Sequence, residues 1–243
     1  MSSPATAIRV VESALREFGA SAVVLTSFQR EGVVIVDMVQ KAAPGTTVLT
    51  IDTGRLPKAT FEMIRSIEDR YSIHVERIHP DPAEVASMVE SHGRDLFRDG
   101  YPQRVLCCQV RKVRPLARRL ADVGAFFAGL RRSQSDSRAD VEIVDRSSSP
   151  VKICPLADWS HRDVLDYIAA NGLPEHPLYA AGYTSIGCDP CTRAVAAGED
   201  ERAGRWWWET DESKECGLHF TPDGRVERHV DVLLREILER ATV

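Results

Sequence analysis

The chain has 243 residues, of which 43% are hydrophobic and 28% are charged, and its formal net charge at pH 7 is −5. This balance is typical of a globular protein and excludes a disordered chain or a fibre. A chain of this length can bury one sizeable core. Its acidic charge argues against general nucleic-acid binding, which requires a surplus of cations. Its longest apolar runs are far shorter than the ~20 residues that span a bilayer, so we expect no membrane association.

In the first half of the chain, segments that predict strands alternate with segments that predict helices. A helix is predicted over residues 7–18, a strand over 22–26, a helix after the loop 27–32, a strand over 46–51, a helix over 57–71 and a strand over 73–78. This alternation predicts an α/β fold with a doubly wound, mainly parallel sheet and flanking helices. Ligands of such folds bind beyond the carboxyl ends of the strands, where the turns 27–32 and 52–55 lie.

The second half of the chain is less regular. It predicts a helix over about 109–121, a strand over 125–129 and a helix over about 160–171. Apolar residues recur at helical spacing over about 225–240, which predicts a terminal amphipathic helix.

The cysteines indicate metal binding or thiol chemistry. The start of the sequence lacks the apolar core of a secretory signal. We therefore expect a cytoplasmic protein whose six cysteines are ligands, catalysts or buried thiols rather than disulfides.

Four of the cysteines form two pairs that are far apart in the sequence. Cys107 and Cys108 are adjacent, and two residues separate Cys188 from Cys191. Four thiolates can bind zinc or an iron–sulfur cluster, and four inert buried thiols are the third interpretation. Adjacent cysteines reach two corners of one zinc ion awkwardly, whereas a cubane with four separate irons accepts them more easily. We interpret Cys154, which lies outside both pairs, as a core residue.

The cysteine pairs lie in longer motifs that resemble those of the assimilatory adenosine 5′-phosphosulfate (APS) reductases. The segment CCQVRK at residues 107–112 resembles the family's CCxxRKxxPL motif, and GYTSIGCDPCTR at residues 182–193 is similar to a second family motif. A third segment, KECGLH at residues 214–219, resembles the family's catalytic tail. The resemblance covers about residues 20–220 and implies an adenine nucleotide alpha-hydrolase-like fold.

The resemblance implies a cofactor and a reaction. Cys107, Cys108, Cys188 and Cys191 would bind a [4Fe-4S] cluster that does not itself pass electrons to the substrate. The chain would be a thioredoxin-dependent adenylyl-sulfate reductase of assimilatory sulfate reduction, and so of cysteine biosynthesis, which converts APS to sulfite and AMP. Most reductases of 3′-phosphoadenosine 5′-phosphosulfate (PAPS) lack both cysteine pairs, so the quartet favours APS. A PAPS reductase or an enzyme that accepts both nucleotides is the alternative.

Further matches imply the residues that bind the substrate. Lys112 corresponds to the family lysine that couples the cluster to the phosphate–sulfate end of the substrate, and an anionic cluster keeps a nearby lysine charged. The other matches are Ser27 in the phosphate-loop position, Asp52, Thr53 and Gly54 in the nucleotide-side turn, Arg131 and Arg138 in a GxRRDQSxxR-like loop, and Arg202 and Arg205, which share a face if they lie on a helical turn. The chain departs from the family patterns at Ser133, which replaces an aspartate, and in the loop 27–32, which keeps Glu31 but has glycine at position 32.

Cys216 matches the family's nucleophile. A thiolate can attack the electrophilic sulfur of a sulfate anhydride, and nearby cations favour the thiolate over a thiol whose ordinary pKa is ~8.5. The product is an S-sulfocysteine, from which an external dithiol, thioredoxin or a similar carrier, releases sulfite. His219 then orients or binds the substrate. A tail that carries Cys216 must open and close over the nucleotide to meet this partner.

These inferences divide the chain into two regions. Residues 1–208 form the α/β domain that binds nucleotide and cluster, and residues 209–243 form a mobile catalytic tail with the terminal helix. The extension after His219 either limits the motion of the tail or joins a contact between subunits of a homo-oligomer.

Two other functions compete with this interpretation. A PP-loop enzyme of tRNA thiolation would require an SGGxDS loop and a basic RNA surface, and this sequence has neither. A regulatory iron–sulfur or zinc module that senses redox state would have no requirement for Cys216.

Overall fold

One six-stranded sheet forms the centre of the protein in this computed structural model, which describes residues 3–135, 138–147 and 149–209. The strands are β1 (Ala22–Leu25), β2 (Val48–Ile51), β3 (Val75–Ile78), β4 (Ala125–Ala128), β5 (Val144–Asp145) and β6 (Val151–Ile153). Their order in the sheet is β3-β2-β1-β4-β6-β5, and only the pairing of β5 with β6 is antiparallel. The predicted mainly parallel, doubly wound sheet is confirmed.

The strand order places a crevice between β1 and β4. The chain builds outward from β1 through β2 to β3 and then crosses back to place β4 on the other side of β1. Because the connections leave β1 and β4 in opposite directions, the carboxyl ends of these two strands form the switch point at which ligands bind in open α/β sheets.

Seven helices flank the sheet in the described part of the chain. They are α1 (Pro4–Phe18), α2 (Arg30–Ala42), α3 (Lys58–Tyr71), α4 (Pro82–His92), α5 (Tyr101–Cys108), α6 (Arg114–Leu120) and α7 (His161–Asn171). A π-helical turn, Gln109–Val113, joins α5 to α6. Ser3 and Ser160 cap the starts of α1 and α7 through their hydroxyl oxygens, as serine commonly does at this position. Within the described ranges, no helix combines the length and apolar character needed to cross a bilayer.

Most of the predicted elements are confirmed, with ends that shift by up to three residues. The predicted helix over 109–121 is the main exception, since the helical segment begins earlier, at Tyr101, and contains the π-helical turn. Helix α4 and strands β5 and β6 were not predicted. The predicted helix over 225–240 lies outside the described residues.

The apolar core divides into three clusters. Alternate residues of a strand face opposite sides of the sheet, so Val24 packs with α1, α2, α3 and α7, whereas Val23 packs with Leu116 and Leu120 of α6. The third cluster lies away from the sheet and joins α4 and α5 to the segment around residue 191.

A buried carboxylate fixes helix α2 between its neighbours. Asp37 accepts hydrogen bonds from Tyr71 of α3 and Tyr167 of α7, each at 2.7 Å, and from Lys41 at 2.8 Å. Buried polar groups with complete hydrogen bonding fix one arrangement of the elements that carry them. The start of α2, which lies at the crevice, is therefore held in a defined position.

Candidate active site

A cavity of about 410 Å³ lies at the switch point, beyond the carboxyl ends of β1, β2 and β4. Its volume is within the range of small-molecule sites. Six of the predicted substrate-binding and catalytic residues line it, namely Ser27, Thr53, Lys112, Arg138, Arg202 and Arg205. Among the described residues, the lining contains six Lys or Arg side chains and two Glu side chains. The cavity therefore suits an anionic ligand.

One part of the cavity wall is apolar. Leu25, Ile51 and Phe126 contribute from the strands, and Leu116 contributes from α6. Apolar walls with a few polar groups are typical of sites for a planar organic group. A cavity that combines this wall with cationic side chains is suited to a phosphorylated or sulfated nucleoside.

The loop at the start of α2 is packed too tightly for a side chain at position 32. A Cβ atom on Gly32 would lie 2.1 Å from the hydroxyl oxygen of Thr26, which accepts a hydrogen bond from the backbone N–H of Phe28 at 2.9 Å. A Cβ on Gly129, at the end of β4, would lie 3.0 Å from the backbone nitrogen of Gly32. This packing accounts for the glycine at position 32, where the loop departs from the family pattern.

Arg131 lies beneath the cavity wall rather than among its lining residues. Its buried guanidinium donates from Nε to Glu31 at 2.8 Å and from Nη1 to Ser133 at 2.7 Å. Gln134 donates to the same oxygen of Glu31 at 3.1 Å and accepts from Nη1 of Arg138 at 2.5 Å. The network therefore positions Arg138, which does line the cavity.

The turn after β2 connects the cavity to the cysteine segment. The Asp52 carboxylate accepts from the backbone N–H of Gly54 at 2.9 Å, and Gly54 adopts a φ of +72°, which glycine tolerates best. Thr53 lines the cavity, and its hydroxyl lies 3.2 Å from the sulfur of Cys188. Asp52 and Gly54 shape this turn and are not among the cavity-lining residues of the described chain.

Three of the four predicted ligand cysteines come together. Cys107 and Cys191 are buried in the third apolar cluster, and Cys188 packs against it. Burial raises the pKa of Cys107, although Arg111 opposes this effect, and burial together with the charge of Cys188 raises the pKa of Cys191 to about 12. Cys108 is partly exposed and follows Cys107 at the end of α5.

Buried hydrogen-bond donors surround these thiols without partners in the described part of the chain. They are Nε of Arg111, Nε of Arg205 and the indole N–H groups of Trp206 and Trp208, and both amide atoms of the buried Gln109 are also unpaired. A buried donor without a partner costs about 1–3 kcal/mol. Cationic and N–H donors around a set of thiolates fit an anionic group such as an iron–sulfur cluster.

The described cysteines do not form a site for a single metal ion. No group of three His, Cys, Asp or Glu side chains in the described ranges is suited to hold one. A tetranuclear cluster has a different requirement, because each thiolate binds its own iron. The π-helical turn that follows Cys108 is a feature often found at functional sites, and it carries both Arg111 and Lys112.

Arg202 and Arg205 meet on a hydrogen-bonded turn rather than on a helix. The backbone N–H of Arg205 donates to the carbonyl of Arg202 at 2.9 Å, and both side chains line the cavity. The guanidinium of Arg205 stacks on Trp206 at 4.6 Å and passes so close to Gly187 that a Cβ there would lie 2.5 Å from it. Arg202 and Arg205 therefore face the same cavity because of a turn, and not because of a helix.

The neighbouring tryptophans and Cys154 have structural positions. Trp206 is buried in the cluster with Cys107 and Cys191, Trp208 packs against Phe97 in a tilted arrangement with ring centroids 5.8 Å apart, and Trp207 is exposed. Cys154 is fully buried, which confirms that it is a core residue. The predicted catalytic residues Cys216 and His219 lie outside the described residues.

Arg111 and Tyr179 are among the residues of the site that the sequence motifs did not assign. Arg111 donates from Nη1 to the carbonyl of Thr53 at 3.0 Å and also hydrogen-bonds Cys107, so it joins the nucleotide-side turn to the thiols. It belongs to the same CCxxRK segment as Lys112 and could have been found there. Tyr179 lines the cavity beside the start of α2, and no sequence signal distinguished it from a core aromatic residue.

Comparison with known proteins identifies one family. Residues 21–194 match the family described as phosphoadenosine phosphosulfate reductase domain. The chain is 44% identical over 217 residues to an adenosine 5′-phosphosulfate reductase of Allochromatium vinosum, which covers 88% of this chain and 84% of the relative. It is 48% identical over 176 residues to an adenosine 5′-phosphosulfate reductase of Burkholderia cepacia, with 72% and 70% covered.

A solved structure has the same fold. The crystal structure of a phosphoadenylyl-sulfate (PAPS) reductase from Candida auris, in complex with phosphate, superposes with a TM-score of 0.63 at 27% identity and covers 78% of this chain and 90% of that one.

Proposed function

Because the chain belongs to the phosphoadenosine phosphosulfate reductase family, we propose that it is an adenylyl-sulfate reductase that converts APS to sulfite and AMP. The observation that carries this proposal is the cavity at the switch point. It combines an apolar wall for an adenine base with Lys112, Arg202 and Arg205 for the phosphate–sulfate end.

The described residues are suited to bind and orient a sulfonucleotide. Guanidinium groups bind phosphate and sulfate oxygens with a planar fork, and Arg138, Arg202 and Arg205 line one cavity. Lys112 lies on the same lining. Cations at the transferring group stabilise charge that develops on it as the anhydride bond breaks. We assign these four side chains, together with Ser27 and Thr53, to substrate binding, and Lys112 also to catalysis.

The other assigned residues act from outside the lining. Asp52 and Gly54 fix the turn that presents Thr53, and Arg131 supports the loop that carries Arg138. We also propose that Asp52, Gly54 and Arg131 contact the nucleotide directly.

Cys107, Cys108, Cys188 and Cys191 would hold a [4Fe-4S] cluster, and the unpaired donors around three of them support this assignment. When bound, such a cluster supplies fixed negative charge that favours the charged form of Lys112. Arg111 and Thr53 contact the cysteine sulfurs and hold the ligand segments against the nucleotide-side turn.

The chemical step is assigned to Cys216 in the tail, residues 209–243. Its thiolate attacks the sulfur of APS, the bond between that sulfur and the bridging oxygen breaks, and AMP leaves with the electron pair. His219 orients the substrate. A thiolate of thioredoxin or a similar dithiol then attacks the Cys216 sulfur and displaces sulfite, and the second thiol of the carrier resolves the mixed disulfide. The carrier is oxidised to a disulfide, and the sulfur of the substrate is reduced to sulfite.

Because the proposed reaction uses free thiolates, we expect it to take place in a reducing compartment, the cytoplasm.

Reduction of PAPS is the second candidate, since the structural relative from Candida auris is named for that substrate. The basic side chains of the lining outnumber its acidic ones, and this positive charge is compatible with the additional 3′-phosphate of PAPS.

A sulfite-release assay with thioredoxin and its reductase tests the proposal. With APS and PAPS compared in parallel, we expect a higher kcat/KM for APS and a large loss of activity in Lys112→Ala. The exposed Arg162, which pairs with Asp166 on α7, provides a matched control, and Arg162→Ala should keep full activity. Equal kcat/KM values would refute the selectivity, and release of sulfite from neither nucleotide would refute the function.

A further inference from the structure

Arg30, the first residue of α2, is a cavity-lining cation that the sequence motifs do not assign. Its Nε donates to the carboxylate of Glu175 at 2.5 Å, and its guanidinium stacks on the ring of Tyr179, 3.8 Å from the centroid. Its backbone N–H also donates to the Tyr179 hydroxyl, at 3.3 Å. Two separate contacts therefore fix the guanidinium, and a third fixes the backbone that carries it.

The anchor of Arg30 is itself fixed. The ring of His176 packs edge-to-face against Tyr179, with centroids 6.4 Å apart. His176 is buried, accepts from the backbone N–H of Leu178 and pairs with the hydroxyl of Thr60 at 3.0 Å. Tyr179 thus lies on a segment that is tied to α3, so its position does not depend on Arg30 alone.

The two terminal nitrogens of Arg30 remain available. The contacts of its side chain use Nε and the ring face, and the structure gives Nη1 and Nη2 no hydrogen-bond partner in the ranges it describes. The side chain is 20% exposed, which leaves these nitrogens accessible from the cavity. Glu31, the neighbouring acid, is already engaged by Arg131 at 2.8 Å. An arginine fork fixed in this way matches two oxygens of a phosphate or sulfate group.

We propose that Arg30 is a further anion-binding residue of the cavity, which takes an oxyanion of the bound adenine nucleotide on Nη1 and Nη2. The inference rests on the proposed function for the identity of the nucleotide. The oxyanion has two sources, the phosphate–sulfate end of the substrate or a 3′-phosphate on the ribose, and both present the same chemistry to the fork.

Direct binding measurements with four probes test the proposal. Isothermal titration of wild type and Arg30→Ala at fixed ionic strength would use adenosine, AMP, ADP and adenosine 3′,5′-bisphosphate, with the β-phosphate of ADP in place of the sulfate. We expect Arg30→Ala to weaken at least one anionic probe about tenfold, because the variant loses its hydrogen bonds to a charged group. Adenosine should bind equally to both proteins.

The pattern of loss identifies the group that is bound. A loss with AMP and all larger probes indicates the 5′-phosphate, a loss that begins at ADP indicates the sulfate position, and a loss confined to the bisphosphate indicates a 3′-phosphate. Glu175→Gln and Tyr179→Phe, which keep the charge of Arg30 but loosen its anchor, should weaken the same probe less. Arg162→Ala should change none of the affinities.

Three results would overturn the proposal. If Arg30→Ala leaves every anionic probe unchanged while wild type binds them, Arg30 only anchors the Glu175–Tyr179 segment, and the proposed function still stands. If the variant weakens adenosine as much as the anionic probes, the side chain maintains the shape of the cavity and binds no anion. A wild-type protein that binds none of the nucleotides contradicts the proposed function as well.

Discussion

Buried thiols lie beside buried hydrogen-bond donors that have no partner in the part of the chain that the structure describes. Cys107, Cys188 and Cys191 share one cluster, and Arg111 and Thr53 contact two of their sulfurs. Binding of a metal cluster would deprotonate these thiols, and the resulting negative charge would give the surrounding N–H donors a partner. The alternative, neutral thiols beside orphaned N–H groups, requires several unpaired buried donors at once.

We predict that protein purified without oxygen contains about four irons and four sulfides per chain, as four thiolate ligands of one cubane require. Cys188→Ser should lose both. Cys154→Ser is the matched control, because Cys154 is buried away from the other cysteines and should not affect iron content. Iron and acid-labile sulfide analysis provides the measurement. Stoichiometric zinc without sulfide would contradict the cluster assignment.

At the residue scale, some of the side chains that the motifs assign to the substrate line the cavity and others do not. Lys112, Arg138 and Arg205 line the cavity as the motifs implied. Arg131, in the same motif as Arg138, is instead buried against Glu31. A motif does not reveal which of its arginines turns inward, because that depends on a carboxylate 100 residues away in the sequence.

At the element scale, the short turn between the end of β1 at Leu25 and the start of α2 at Arg30 is tightly packed. Phe28 has a φ of +58°, and the hydroxyl of Thr26 accepts from its backbone N–H. Gly32 packs directly on that hydroxyl, so a larger residue must displace an atom that is already held by a hydrogen bond.

We predict that Gly32→Ala destabilises the protein by about 1–3 kcal/mol, the usual cost of overpacking, which exceeds any gain in helix propensity. Denaturation midpoints would measure the change. The double variant Thr26→Ala/Gly32→Ala removes the clashing oxygen, so its loss should be smaller than the sum of the two single losses. Strict additivity would show that Thr26 does not restrict position 32.

His176 gives the Glu175–Tyr179 segment a pH-dependent stability. Burial lowers the pKa of His176, so the native ring is neutral, with Nδ1 accepting from Leu178 and the proton on Nε2 directed to Thr60. In the unfolded chain the pKa is ~6.5, so the unfolded state binds more protons below that pH. The contribution of His176 to stability is present above pH ~6.5 and is lost as the pH falls toward its folded pKa.

We predict that the thermal midpoint of the wild type falls more between pH 7.5 and pH 5.5 than that of His176→Gln. The variant should be less stable at pH 7.5, because it loses native contacts, but its decrease across this range should be smaller. Thermal scans in matched buffers would measure both proteins. Equal decreases would show that His176 does not carry the pH dependence.

Two of the elements that the sequence missed, β5 and β6, are too short to be recognised, whereas α4 was missed despite a flanking signal. β5 has two residues and β6 has three, too few to show an alternating pattern. The helix start at Tyr101 was missed because a π-helical turn shifts the apolar spacing within α5 and α6. α4 did carry a signal, since Asp81 caps it and Pro82 occupies its first position.

At the scale of the whole molecule, the strand order determines where the chemistry can occur. The reversal between β1 and β4 creates the crevice, and segments from residues 25 to 205 converge on it. Repeated βα units predicted this architecture and its ligand edge. They could not predict that the segments around Cys107 and Cys188 meet beside it, because that contact depends on packing between distant parts of the chain.

We propose that Cys216 carries a sulfonate between two half-reactions, and a single-turnover experiment with APS and no thioredoxin tests this role most directly. We predict release of about one AMP per active site, a mass increase of one SO₃ unit on the intact chain, and location of that unit on Cys216 by peptide mapping, because the covalent first step requires no reductant. Cys216→Ser should keep its iron and bind nucleotide but form no adduct and no sulfite. Near-normal sulfite production by Cys216→Ser, or an adduct on Cys154, would contradict the mechanism.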